Sequence, residues 1–210
     1  MADWLQLWLK PCRHRAFAQA ATSPPLYRMD GGGEPGEVID WLHRMVRCQG
    51  GQDVPGTSLL RDNLIGIYFS ASWCPPCQTF TPLLAEAYQK IRTKHGERAF
   101  EVVLVPLDTL ESQWSEYIKG MPWLSLHPAA RECVVRIFMH FDIHQIPTLV
   151  VVNAKGEIVS RNARGGQGFG FGCDPLEAYD SLREAAAALA AAGAAKEKSF
   201  RKSQRAHPST

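Results

Sequence analysis

Two cysteines, Cys74 and Cys77, stand on either side of a proline pair in the run YFSASWCPPCQTFTP, residues 68–82. Two thiols at this spacing can hold half of a metal site, or they can form a disulfide that opens and closes. Zinc needs two further ligands at suitable spacing, and the chain has no second Cys-x-x-Cys. His140 and His144 lie four apart, but they straddle the expected end of a helix, where a solvated face is the plainer account. Redox chemistry suits the position better. The pair directly follows an apolar run and opens a helical pattern, so Cys74 falls at or beside the N-cap. There the free amides and the positive helix end favour an anion, and cysteines so placed have pKa values of about 3.5–7.5. Cys77 lies one turn deeper on the same face. That separation suits a disulfide, whose α-carbons sit about 4.4–6.8 Å apart. Pro75 and Pro76 fill first-turn positions where no amide donor is needed, and they restrict the reduced pair. Trp73, directly before the nucleophile, is placed to shield the thiolate and to touch a partner.

These residues need a strand before them and a helix after them. NLIGIYFS reads as a short buried strand and PCQTFTPLLAEAYQKIRTK as a helix running to about Lys94, with a kink expected at Pro82. FEVVLVPLD is a second buried strand. TLESQWSEYIKG is a helix with Thr109 as its expected cap and Gly120 as its stop. PAARECVVRIFMHF carries a helical stripe of Val134, Val135, Ile137, Phe138 and Phe141. IPTLVVVN and EIVSRN, joined by AKG, predict an antiparallel hairpin. Ile146-Pro147-Thr148 opens that hairpin, as prolines often do at a strand start. A last helix is expected from about Pro175 to Ala192. Before all of these, EVIDWLHRMVRC has helical spacing, and DGGGEPGE reads as a flexible joint. The order places the cysteine pair at the carboxyl end of the first core strand, where α/β sheets gather ligand chemistry.

Of 210 residues, 45% are hydrophobic and 21% charged, the balance of a globular protein. A net charge of +2 gives no global attraction to nucleic acid or acidic membranes, so neither is expected as a partner. No run approaches the roughly 20 apolar residues of a membrane span. Six cysteines, four of them scattered singly, are too sparse for a disulfide scaffold, which favours a reducing compartment. The cytoplasm is the expected location. Residues 1–35 read as a flexible extension. Lys10, Arg13, Arg15 and Arg28 against Asp3 make a mitochondrial transit peptide the alternative, whereas the apolar run precedes the basic residues, the wrong order for a secretory signal. Residues 36–192 are the expected domain, and 193–210 the expected disordered basic tail.

The segments YFSASWCPPC, FTPLL, FEVV, MPWLSL, IPTLVVV and GEIVSRNAR resemble, in this order, the tryparedoxin and nucleoredoxin branch of the thioredoxin superfamily. The likeness runs from about Val38 to Ala190 and is nearest to a tryparedoxin-like protein. It implies a thioredoxin-like α/β fold, a central mixed sheet flanked by helices on both faces. In that fold Pro147 follows a cis bond and lies against the cysteine pair, excluding metals and offering the Ile146 backbone to an extended substrate. The implied catalytic residues are Cys74, which attacks a partner's disulfide, and Cys77, which resolves the intermediate. Trp73, Pro75, Pro76, Ile146 and Pro147 are the implied substrate contacts. No cofactor is expected beyond the redox pair. A small dithiol, trypanothione or an equivalent, is the implied reductant, and disulfide-containing proteins such as peroxiredoxins are the implied acceptors of a monomer. The alternative is a nucleoredoxin-like regulator that binds partners with little turnover. Departures from the branch are specific: Gln78 stands where Arg is usual, Leu107-Asp108-Thr109 replaces Trp-Asp-Glu, and Asp174-Pro175-Leu176 replaces Phe-Pro-Trp. The basic residue that tryparedoxins carry after the hairpin corresponds to Arg161 or Arg164. Tyr68 occupies the place of the buried aspartate of thioredoxin itself, so that carboxylate proton shuttle is absent.

Overall fold

The apolar runs of the sequence become the middle of one sheet. The computed structural model describes residues 46–47, 64–128, 131–165 and 170–206, all within the unit Gly31–Thr210. Its strands are β1 (Val46–Arg47), β2 (Leu64–Ser70), β3 (Phe100–Pro106), β4 (Leu124–Leu126), β5 (Thr148–Val152) and β6 (Ile158–Ser160). They lie in the order β1-β4-β3-β2-β5-β6. β2 runs parallel to β3 and antiparallel to β5, and the outer pairs β1–β4 and β5–β6 are antiparallel, so the sheet is mixed. Helices α1 (Pro75–His95), α2 (Glu111–Tyr117), α3 (Arg131–His140) and α4 (Pro175–Ala206) complete the described elements, with a 3-10 turn at Ile118–Gly120.

All seven residues of β2 are buried, because helices cover both faces of the sheet. Alternation along the strand sends neighbouring side chains to opposite faces. Tyr68 therefore meets Phe80 of α1, ring centroids 5.8 Å apart, while Phe69 meets Phe138 of α3 at 5.8 Å on the other side. Along α1, Cys77, Phe80, Leu84, Ala87, Tyr88 and Ile91 form the buried stripe, at helical spacing. Fully burying a side chain such as Leu84 contributes about 1.5–3 kcal/mol. Gly66 is small for a reason: a Cβ there would lie 2.9 Å from the Phe100 ring and 3.0 Å from Leu149. The helix α1 continues through Pro82, and Arg92, Lys94 and His95 in its last turn complement the negative end of its dipole.

Four elements differ from the sequence expectations. Val46–Arg47 is a strand paired with Leu126 and Ser125, although its window has helical spacing; non-local pairing overrides a short periodic pattern. The strand β4 itself was not expected, since three residues are too few to show alternation. The N-cap of α2 is Leu110, not Thr109, and it makes no side-chain capping bond. The helix α4 runs on past Ala192 to Ala206, into the segment expected to be disordered. Its Ala, Lys, Glu and Arg residues are strong helix formers, enough to carry the helix past Gly193 at a cost of about 1 kcal/mol. The expectations for residues 1–35 lie outside the described residues.

Candidate functional site

The carboxyl end of β2 delivers the chain into a tight turn and then into α1. Leu107 N donates to Ser70 O at 2.9 Å, extending the β2–β3 ladder by one bond. Cys74 N donates to Ala71 O at 3.2 Å, closing a turn whose tip is Ser72-Trp73. Cys74 is the N-cap of α1, in extended conformation, and its sulfur accepts from Cys77 N at 3.3 Å. Pro75 and Pro76 take the first two helical positions. The Cys74 and Cys77 sulfurs are paired as a disulfide, with α-carbons 5.2 Å apart. Cys74 is 5% exposed and Cys77 fully buried, so an approaching partner reaches Cys74 first. Once the disulfide is reduced, the same Cys77 amide and the positive helix end stabilise a Cys74 thiolate.

The Ile146–Pro147 bond is cis, and the Ile146 carbonyl oxygen lies 3.9 Å from Cys74 Sγ. Pro147 is buried and Ile146 half-buried at the start of β5. Thr148 Oγ1 donates to Gln145 O at 2.7 Å, bridging the bend. Trp73 is 52% exposed. Pro75 and Pro76 are exposed as well. The seven residues singled out from sequence thus fall on three segments: the turn, the first turn of α1 and the start of β5.

Beneath Cys77 lies a group of four hydroxyls. Tyr68 OH is 2.8 Å from Thr81 Oγ1 and accepts from Ser70 Oγ at 3.1 Å. Tyr117 OH is 2.8 Å from Ser70 Oγ and 2.9 Å from Thr81 Oγ1. Thr81 Oγ1 in turn donates to Cys77 O at 2.8 Å. Burial pushes the Tyr68 phenol well above its ordinary range, and the neighbouring Tyr117 adds to the effect. Tyr68 is a hydrogen-bonded member of the site's floor as well as a core residue.

The turn is held by two residues that spacing alone did not single out for this role. Asp108, 3% exposed just beyond β3, receives Ser72 N at 3.2 Å on each carboxylate oxygen and Ser72 Oγ at 2.5 Å. Gln78 Nε2 donates to Ser72 O at 2.5 Å. Thr109 is exposed next to Asp108, and Arg161 and Arg164 follow β6. Asp174 caps α4, its Oδ1 receiving the amides of Leu176 and Glu177, each at 3.1 Å. Among the remaining thiols described, Cys133 is buried, which pushes its thiol up to about 11, and Cys173 is exposed.

A mixed sheet with a Cys-Pro-Pro-Cys helix start facing a cis-proline strand defines the thioredoxin-like fold. A thioredoxin-like family model matches residues 62–158. Tryparedoxin of Trypanosoma brucei brucei is 46% identical over 99 residues, covering 47% of this chain and 67% of that protein. Nucleoredoxin of Xenopus laevis is 39% identical over 108 residues, covering 51% of this chain but only 26% of that protein. The chain thus spans about a quarter of the length of that nucleoredoxin. A solved structure of tryparedoxin II complexed with glutathionylspermidine superposes with a TM-score of 0.53 at 36% identity, covering 57% of this chain and 81% of that one. The chain belongs to the thioredoxin-like family, in the branch of the tryparedoxins and nucleoredoxins.

Proposed function

We propose that the chain is a protein-disulfide reductase of tryparedoxin type. The Cys74 thiolate attacks one sulfur of a partner's disulfide, forming a mixed disulfide and releasing one partner thiolate. Cys77, after losing its proton, attacks Cys74 Sγ; the mixed disulfide breaks, the second partner thiolate leaves, and the Cys74–Cys77 disulfide forms. The partner gains two electrons and, in water, two protons. A small dithiol then reverses the change on the enzyme by the same exchange, with no other cofactor. The carrying observation is the N-cap geometry: Cys74 accepts the Cys77 amide at the helix start while Cys77 waits buried one turn below. Trp73, Pro75, Pro76 and the Ile146-Pro147 backbone form the groove for an extended segment of the partner. The similarity to a tryparedoxin solved with glutathionylspermidine supports a polyamine-linked thiol as donor, and peroxiredoxins are the proposed acceptors.

Insulin reduction driven by dithiothreitol tests the reading. The wild type should precipitate insulin rapidly and Cys74→Ser not at all. Cys77→Ser should accumulate a covalent complex through Cys74, from which the partner can be identified. Wild-type protein that captures partners without turnover would instead support the nucleoredoxin-like regulator, towards which the match to that protein over half of this chain points.

A further inference from the structure

Every polar group of Ser72 is engaged. Its amide and hydroxyl donate to Asp108, and its carbonyl accepts from Gln78. Ser72 sits at the tip of the turn that ends in Cys74, so whatever holds Ser72 holds Trp73 and the attacking sulfur. A carboxylate is a costly group to bury, and one 3% exposed needs hydrogen bonds in return. Those of Asp108 go to one residue of the redox turn, 36 positions away in sequence. We propose that Asp108 is a positioning residue for the dithiol: it locks the Ser72-Trp73 turn and so keeps Cys74 within reach of Cys77.

The inference rests on the disulfide-exchange reading, and its consequence is thermodynamic. Ring closure between two thiols depends on how often they meet. A turn freed from Asp108 lets Cys74 sample positions away from Cys77, which weakens the disulfide relative to the dithiol. Loss of the carboxylate charge acts in the same direction, since a nearby anion disfavours the thiolate of the reduced form. The balance is read directly in glutathione buffers: one Cys74–Cys77 disulfide and two glutathione thiols give one dithiol and one glutathione disulfide, two electrons moving. Asp108→Ala should raise this equilibrium constant about tenfold, a potential about 30 mV more oxidising.

Asp108→Asn separates the clamp from the charge. One carboxylate oxygen, Oδ1, already receives both the amide and the hydroxyl of Ser72, so the amide oxygen of Asn can keep both bonds. Asp108→Asn should therefore stay within about twofold of wild type. Ser72→Ala, which loses the hydroxyl bond and keeps the amide bond, should shift the equilibrium in the same direction as Asp108→Ala by a smaller factor. The Ser72→Ala/Asp108→Ala pair should be no more displaced than Asp108→Ala alone. The measurement is an equilibrium titration with alkylation of Cys74 and Cys77 followed by mass spectrometry, and it needs no turnover. A wild-type protein inactive on insulin sinks the reductase reading without touching this result. An Asp108→Ala potential equal to wild type overturns the proposal, as does an Asn variant displaced as far as Ala, or additive Ser72 and Asp108 effects. If Asp108→Ala does not fold, an unshifted Ser72→Ala overturns it.

Discussion

Replacing Tyr68 by Phe removes one hydroxyl from the group of four beneath Cys77, and proton counting sets the size of the effect. The group presents five short donor–acceptor pairs but only four hydroxyl protons. With Thr81 donating to Cys77 O, Tyr68 donates to Thr81 and Ser70 to Tyr68. Tyr117 then has one proton for two acceptors, Ser70 and Thr81. Without the Tyr68 hydroxyl, Ser70 can donate to Tyr117, Tyr117 to Thr81 and Thr81 to Cys77 O, so no donor is orphaned. The expected cost is that of ordinary neutral hydrogen bonds, about 1 kcal/mol. Thr81→Val is different. It removes the oxygen on which the network converges and leaves three hydroxyl protons for two remaining pairs, Ser70–Tyr68 and Ser70–Tyr117, a loss of about 1–3 kcal/mol. Urea unfolding of both oxidised variants at pH 7 measures the difference. A Tyr68→Phe loss larger than that of Thr81→Val would refute the proton count. The pH dependence gives a second check. Burial raises the folded phenol above its unfolded value of about 10, so above that pH the unfolded chain loses its proton first. This contribution to stability is therefore complete below pH 10 and declines as pH rises beyond it. The decline should be shallower in Tyr68→Phe.

With limiting iodoacetamide at pH 7, the reduced protein should be labelled first at Cys74, while Cys133, its thiol pushed up to about 11 by burial, stays unlabelled; faster labelling of Cys77 or Cys133 in peptide mapping would reverse the assigned roles. The double change Gln78→Arg/Thr109→Glu, which restores the residues usual in the branch, should raise the ratio of trypanothione-driven to dithiothreitol-driven reduction about tenfold in stopped flow. An unchanged ratio would mean that neither departure bears on donor choice. Asp174→Ala should lower stability by about 1 kcal/mol through loss of the α4 cap, with little effect on the potential of the dithiol, to which Asp174 makes no described hydrogen bond. A loss below about 0.3 kcal/mol in urea would count against that cap.

The residues that make the site were legible where their order is local. Cys74 as N-cap, the proline pair in the first turn and the buried position of Cys77 all follow from helix-end rules applied to one decapeptide. The strands β2, β3 and β5 were legible because strands covered on both faces need continuous apolar runs. Elements fixed by distant partners were not. Leu124–Leu126 and Val46–Arg47 are strands because they pair with each other and with β3, which no local pattern records. The Asp108–Ser72 clamp joins a strand end to a turn 36 residues earlier, and nothing in the spacing announces it. The hydroxyl group was half legible. Tyr68 and Ser70 alternate onto one face of β2, and Thr81 lies one turn below Cys77, but Tyr117 arrives from α2.

The same geometry explains why departures from the branch pattern leave the arrangement of the cysteine pair intact. Gln78 lacks the charge of the usual Arg, yet its amide still supplies an N–H to the Ser72 carbonyl. Asp174, where the branch has Phe, takes on the capping of α4. Pro175 stays where the branch pattern has Pro and falls at the first helical position, where no amide is needed. Thr109 is exposed, and no described hydrogen bond of the redox turn runs through its side chain. Gln78 and Asp174 therefore keep local hydrogen-bonding roles, and together with Thr109 they alter the charge presented to solvent, whereas Leu107 is buried. The Cys74 sulfur, the Cys77 amide, the Ile146 carbonyl and the Asp108 carboxylate form a separate layer beneath that surface. A thiol exchanger can change its donor by changing the outer layer alone, because attack and resolution depend only on the inner one. Differences between this chain and the tryparedoxins should accordingly appear in which dithiol reduces it, and only weakly in how Cys74 and Cys77 exchange once a partner is seated.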